Sequence, residues 1–307
     1  MSSGQIRKGA LVEVINEKGI SGWGEVAPLP KWSKEDLKEA IEQISYYKVF
    51  FCNCESIEQL HRLPLLPSVS FGISSAFRQL SSPSSIEANV CAFLQGTPLE
   101  VLQQAEQWEK EGFSFAKLKV GSLRIEEAHS LIQKLKNRFR LRIDVNKAWD
   151  TKDSLEFFSR FQRDDFDYIE EPLQDITRLI EFSLPFAIDE SFPNDISLNQ
   201  LEMCPMLKAI IYKPTMQGDL STSPFLIKWA EDRGIKLILG SSFESDVGLA
   251  SIALMANNFR LESPLGIGTY YNMKAKLLET PLLFSKGKLS IQSAFINKKN
   301  KLIEKII

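Results

Sequence analysis

Five charged positions with the look of strand ends recur along the middle of this chain: Lys119, Asp144, Glu170, Asp189 and Lys213. Their separations of 25, 26, 19 and 24 residues each match one strand, one helix and two short loops. That period predicts a repeating βα barrel presenting one functional residue per unit. Three carboxylates between two lysines point to metal-assisted proton abstraction.

A barrel of this kind takes about 250 residues, and the chain has 307, which leaves room for one accessory domain. A formal net charge of −2 gives no electrostatic reason to expect nucleic acid. No apolar stretch approaches the roughly 20 residues that span a bilayer, and MSSGQIRKGA lacks the apolar core of a secretory signal. The expectation is a cytoplasmic protein without a membrane partner. Cys52, Cys54, Cys91 and Cys204 form no paired CxxC, so they read as reduced, packed thiols. The two histidines, His61 and His129, lie away from every predicted barrel strand end, so acid and base work falls to lysine or carboxylate.

ALVEVINEKG and GWGEVAPLP read as an antiparallel hairpin around Glu17 to Gly19. Ser33 is expected as the N-cap of a helix through DLKEAIEQISYYKVF, and PSVSFGISSAFRQL as a second helix. SSPSS at 81–85 reads as a linker, so the chain divides into an α+β capping domain over 1–85 and a (β/α) barrel over 86–279. Barrel strands are predicted at ANVCAFL, FAKLKVG, LRIDVN, YIEEPL, FAIDES, AIIYKP and KLILGS, with a short eighth near PLGIGTY. Gly112 and Gly234 close two of the intervening helices. A hairpin around Lys286 to Lys288 is expected to return residues 280–307 to the cap, and the basic INKKNKLIEK reads as a solvated terminus.

Lys117 and Lys119 are two residues apart on one strand and share a face. Repulsion and desolvation are expected to lower a lysine pKa there, which makes a usable base. Asp144, Glu170 and Asp189 end successive strands that converge on one mouth, where a hard divalent cation relieves their repulsion and all-oxygen ligation favours Mg²⁺. Lys213 is expected across the mouth from Lys119. Glu171 and Glu190 adjoin the acids but alternate to the other face, and are left out of the site. Arg142 shares the face of Asp144 and either orients a ligand or forms a structural ion pair.

FAKLKVG, LRIDVNKAW, YIEEPL, FAIDES and IIYKPT resemble, in order, the strand motifs of the enolase superfamily, muconate-lactonising subgroup. GWGEVAPLPKWS, PSVSFGISSAF and GSSFESDVGL are similar to the cap loop, cap helix and seventh-strand segment of that subgroup's dehydratases of menaquinone biosynthesis. The resemblance implies a syn dehydration of 2-succinyl-6-hydroxy-2,4-cyclohexadiene-1-carboxylate, a small-molecule carboxylate. It makes Lys119 the base, Lys117 its modulator, and Asp144, Glu170 and Asp189 the holders of Mg²⁺, with Mn²⁺ able to substitute. Lys213 becomes the electrostatic stabiliser and Asn146 a neighbour of the metal. Ser241, Ser242 and Gly266 become substrate contacts, and the loop with Trp23, Pro28 and Trp32 a cover, core packing being the other reading of Trp32. An N-acylamino acid racemase or dipeptide epimerase is the alternative, although GIGTYY lacks the Asp-x-Asp of dipeptide epimerases. A non-catalytic binding barrel is the remote one.

Overall fold

The structure is a computed structural model that describes residues 6–81, 85–274 and 276–291. It opens with the hairpin β1 (Ala10–Ile15) and β2 (Ser21–Val26), followed by α1 (Leu37–Tyr46), α2 (Lys48–Cys52), α3 (Ile57–Leu60) and α4 (Pro67–Leu80). β3 (Ile86–Asn89) and β4 (Ala92–Leu94) lead to the repeating part: α5 (Pro98–Lys110), β5 (Phe115–Lys119), α6 (Ile125–Leu135), β6 (Arg140–Asp144), α7 (Thr151–Phe158) and β7 (Phe166–Glu170). β8 (Phe186–Ile188), α8 (Leu198–Glu202), β9 (Leu207–Tyr212), α9 (Pro214–Gln217), α10 (Pro224–Asp232), β10 (Lys236–Leu239) and α11 (Asp246–Asn258) continue it. β11 (Leu283–Ser285) and β12 (Lys288–Ile291) end the described chain.

β4 to β10 form one parallel sheet in sequence order. Its strands are apolar on the helix side: in β5, Ala116 and Leu118 are fully buried while Lys117 and Lys119 face the interior of the curve. The covering helices supply the matching stripe, as in α6, where Ala128, Leu131, Ile132 and Leu135 recur at helical spacing and are buried. At the eighth predicted strand only Leu265 and Gly266 pair, through parallel bridges to Val90 on one edge and Gly240 on the other. The architecture is a parallel-strand half-barrel sheet with an α+β domain.

Several local expectations need correcting. ANVCAFL is not one barrel strand: its first part belongs to β3, which pairs antiparallel with β12, and only Ala92–Leu94 joins the parallel sheet. The C-terminal hairpin thus pairs with β3, turning through Lys286 and Gly287, both at positive φ. The N-cap of α1 is Asp36, because its carboxylate accepts from Glu39 N at 2.9 Å and Glu39 reciprocates. Ser33 Oγ instead accepts from Leu29 N at 2.8 Å and closes the preceding loop. Trp32 is 61% exposed and is not core. Most of SSPSS and the whole basic tail fall outside the described residues.

Backbone contact packs the cap on itself, and a carboxylate at a helix end holds it to the strand-bearing part. β2 lies directly on α4, and a Cβ on Gly24 would sit 1.8 Å from the Gly72 carbonyl oxygen. Gly24→Ala is therefore expected to destabilise the protein by about 1–3 kcal/mol, seen as a lower urea midpoint at unchanged slope. The next residue of β2, Glu25, is buried and reaches the first turn of α11, accepting from Ser245 N at 2.9 Å and Gly248 N at 3.0 Å. It caps that helix from more than two hundred residues away in sequence. Gly248 is required there, since a Cβ would lie 2.7 Å from Glu25 Oε2.

Burial pushes Glu25 up to about 7, against the bonds from Ser245 and Gly248 that favour its charged form. A native pKa above the ordinary 4.5 means that the folded state binds the extra proton between those values. The associated stability is full below that window and lost as pH rises through about 7. Glu25→Gln keeps an acceptor and cannot ionise. Its fall in urea midpoint from about pH 5 to about pH 8 should be smaller than that of the wild type, and an equal fall would refute the assignment.

Candidate active site

Register places the charged strand ends in a row. Lys119 pairs with Asp144, and Asp144 with Glu170, across three adjacent strands. Asp189 and Lys213 each follow the end of the next two, β8 and β9. Three strands therefore separate Lys119 on β5 from Lys213 after β9. All five side chains line a cleft of about 2400 Å³ that also meets Trp23 and Glu25 of the cap.

The acids and lysines interlock. Lys117 Nζ lies 2.9 Å from Asp144 Oδ2 and 2.6 Å from Glu170 Oε1, while Lys119 Nζ lies 3.2 Å from the same Asp144 oxygen. Lys213 donates to Asp189 Oδ2. Lys119 is the most accessible of the three, its side chain 38% exposed against 19% for Lys117 and 24% for Lys213.

The expected lowering of lysine pKa is reversed at Lys117. Burial disfavours its ammonium, but Asp144, Glu170 and Asp189 outweigh burial and hold its pKa well above the ordinary value. Lys213 is likewise raised, burial being overcome by Asp189 and Glu170. Counting lysine against lysine neglected the carboxylates between them. Asp144 moves the other way: burial would raise it, and Lys117 and Lys119 bring it down. Glu170 is pushed up to about 8 by burial, with Lys117 opposing and Asp144 and Asp189 adding to the rise.

Among the described residues no three acidic, imidazole or thiolate groups form a ready-made metal cage, because the ammonium groups stand between the acids. Two buried oxygens are nevertheless left over: Asp144 Oδ1 and Glu170 Oε2 have no hydrogen-bond partner among the described residues. Buried carboxylate oxygens without a partner are costly. A hard divalent cation between Asp144, Glu170 and Asp189 fits this donor set.

The other predicted residues divide. Asn146 is exposed, lines the cleft and adopts φ 51°. Ser241 lines the cleft, its Oγ 2.7 Å from Thr269 Oγ1, and Gly266 lies beside it. Ser242 is buried and does not line the cleft; its N–H donates to Glu244 at 2.6 Å. Arg142, two residues below Asp144, is committed to Asp167 at 2.9 Å and to the Pro264 carbonyl at 2.6 Å, over the faces of Phe115 and Tyr168. It makes the expected ion pair, while also lining the cleft with Nη2 lacking a hydrogen-bond partner among the described residues.

Two residues escaped sequence reasoning. Glu25 carried only the signal of an acid amid the apolar GWGEVAPLP. Glu171 was set aside by alternation, yet its φ of 46° turns the side chain off the strand, and its carboxylate accepts from Asp189 N at 2.8 Å, Ser191 N at 2.9 Å and Ser191 Oγ at 2.7 Å.

Residues 100–294 match the family described as enolase C-terminal domain-like, and residues 3–80 match the MenC N-terminal domain. The chain is 32% identical to o-succinylbenzoate synthase of Edwardsiella ictaluri (strain 93-146), over 89% of this chain and 85% of that one. It is 29% identical to o-succinylbenzoate synthase of Haemophilus influenzae (strain ATCC 51907 / DSM 11121 / KW20 / Rd), over 95% and 91%. The solved o-succinylbenzoate synthase of Thermosynechococcus elongatus BP-1, complexed with Mg in its active site, shares the fold with a TM-score of 0.71 at 24% identity, covering 91% of this chain and 89% of that one. With both parts matched in order and the relatives covered nearly end to end, the chain belongs to the o-succinylbenzoate synthase family of the enolase superfamily.

Proposed function

We propose that this protein catalyses the Mg²⁺-dependent syn dehydration of 2-succinyl-6-hydroxy-2,4-cyclohexadiene-1-carboxylate to 2-succinylbenzoate, with Mn²⁺ able to replace Mg²⁺. The observation that carries the reading is the interlocked row of Lys117, Lys119, Asp144 and Glu170 with Asp189 and Lys213 beyond it, two of whose carboxylate oxygens lack a partner among the described residues. In this reading residues 1–85 form the capping domain and 86–279 the catalytic barrel, with Leu265 and Gly266 as its eighth stave. No helix among the described residues is long and apolar enough to cross a membrane.

Asp144, Glu170 and Asp189 hold the cation. When bound, it supplies positive charge against the negative charge that gathers on the substrate carboxylate as the α-proton leaves. Lys119, the most exposed of the three lysines, takes that proton at Nζ. The same ammonium returns it to the departing C6 hydroxyl, so water leaves from the face that lost the proton. The electron pair of the C–H bond becomes the new ring double bond, the C–O bond breaks, and an aromatic ring results. Lys117 stays charged and contacts the substrate carboxylate. Lys213 meets the developing charge from the opposite face. Ser241 and Gly266, both lining the cleft, leave close approach for the succinyl arm.

Lys119→Ala is expected to reduce turnover by about 10²–10⁴-fold while still binding Mg²⁺, because the base goes and the carboxylates stay. Ultraviolet absorbance of the aromatic product, followed with and without chelator, measures this; a near-normal rate in the variant would contradict the role. Mg²⁺ should raise the thermal midpoint of the wild type and leave Asp189→Ala unmoved. Equal stabilisation of both would place the cation elsewhere.

A further inference from the structure

Resting on the metal assignment above, we propose that Glu171 is a positioning residue, whose carboxylate fixes Asp189 in register with Asp144 and Glu170 and so sets the affinity for the divalent cation. It sits where three acid-bearing strand ends meet. Its main-chain oxygen accepts from Lys147 N at 3.0 Å, three residues after Asp144. Its own N–H donates to the Ala187 carbonyl of β8 at 3.0 Å. Its side chain then closes on the far strand end, one oxygen taking Asp189 N and Ser191 N at 2.8 and 2.9 Å, the other taking Ser191 Oγ at 2.7 Å.

A single residue thus ties β6, β7 and the segment after β8. β8 is only three residues long, and Asp189 lies just beyond its end. The Glu171 carboxylate holds its N–H there, while Phe192 N reaches its carbonyl at 3.2 Å and Lys213 its carboxylate. Lys147 adds to it from the side, its ammonium 3.0 Å from Ser191 Oγ. The arrangement also has a cost that a purely local role would not explain: Asn146, Lys147 and Glu171 all stand at positive φ, at 51°, 53° and 46°. Non-glycine residues in that region persist where surrounding contacts over-determine them. Glu171 is 1% exposed and cannot touch bulk substrate, so its action runs through Asp189.

The test is calorimetric Mg²⁺ binding to the wild type, Glu171→Ala, Glu171→Gln and Asp189→Ala, with the Mg²⁺ dependence of product formation alongside. Glu171→Ala is expected to weaken Mg²⁺ binding by about 10–100-fold, the range for partners that orient a metal ligand, and to raise the Mg²⁺ concentration for half-maximal rate in parallel. Glu171→Gln retains an oxygen for the two backbone N–H groups and should restore most of that affinity. Ser191→Ala removes the hydroxyl's bonds to Glu171 and Lys147 but keeps both backbone N–H bonds to Glu171, and should fall between them, which keeps the test available if Glu171→Ala does not fold. Wild-type affinity in both Glu171→Ala and Ser191→Ala, or in Ser191→Ala alongside an equally weakened Glu171→Gln, overturns the inference while leaving the metal assignment standing. Failure of the wild type to bind Mg²⁺, or undiminished binding by Asp189→Ala, overturns the assignment and the inference together.

Discussion

Negative charge converging on one mouth is the constraint from which the rest of the arrangement follows. A parallel sheet that curls brings the carboxyl ends of its strands together, and here Asp144, Glu170 and Asp189 end or follow three adjacent strands. Such a cluster survives burial only with positive charge among it. Lys117 supplies it between Asp144 and Glu170, Lys119 and Lys213 at the flanks. The same groups that neutralise the acids are thereby delivered to both sides of the cleft. The balance is incomplete in one respect, since Asp144 Oδ1 and Glu170 Oε2 lack partners among the described residues. Two buried carboxylate oxygens side by side have the donor chemistry that suits a hard divalent cation.

The cap answers a different problem. The mouth of a βα sheet is open to water, and charge development in water is poorly stabilised by fixed groups. β2 crosses the rim with Trp23 and Glu25 lining the cleft, and Glu25 locks onto the first turn of α11. A second carboxylate repeats the device: Glu35, buried in the loop before α1, accepts from Ser68 N at 2.8 Å in the first turn of α4. Between these, Arg78 of α4 pairs with buried Asp219 at 2.8 Å, joining the cap to the segment after α9. The Glu25 cap on α11 and the Arg78–Asp219 pair join the cap to the strand-bearing part, while the Glu35 cap on α4 and the glycine contacts of β2 on α4 pack the cap on itself.

Much of the sheet was legible because each buried parallel strand is an apolar run ended by a charged residue. FAKLKVG, LRIDVN, YIEEPL, FAIDES and AIIYKP each overlap a strand of the sheet as expected, although β6, β7 and β9 begin one or two residues before their segments. What escaped was set by partners distant in sequence. The direction of the Lys117 pKa depends on acids from other strands. Asp36 displaced Ser33 as a cap because Glu39 could reciprocate, and Ser33 had a nearer use at Leu29. ANVCAFL divides between two sheets because β12 arrives to pair with its first residues, and nothing local announces that. Ser242 turns inward because its neighbour Phe243 stands at φ 62° and Glu244 captures the Ser242 N–H.

Alternation is a property of extended backbone and ends where the ladder ends. It sorted Lys117 with Lys119 and Asp144 with Arg142 correctly, since those residues lie within β5 and β6. It misplaced Glu171, the first residue after β7, where φ becomes positive and the side chain swings across the rim instead of outward. The strand ends that carry chemistry are thus also the positions where the two-residue rule stops applying. Acids standing immediately after a predicted terminal ligand, in the manner of Glu171 after Glu170, belong among the candidates for holding the neighbouring ligand, because the turn that ends the strand is what aims them sideways.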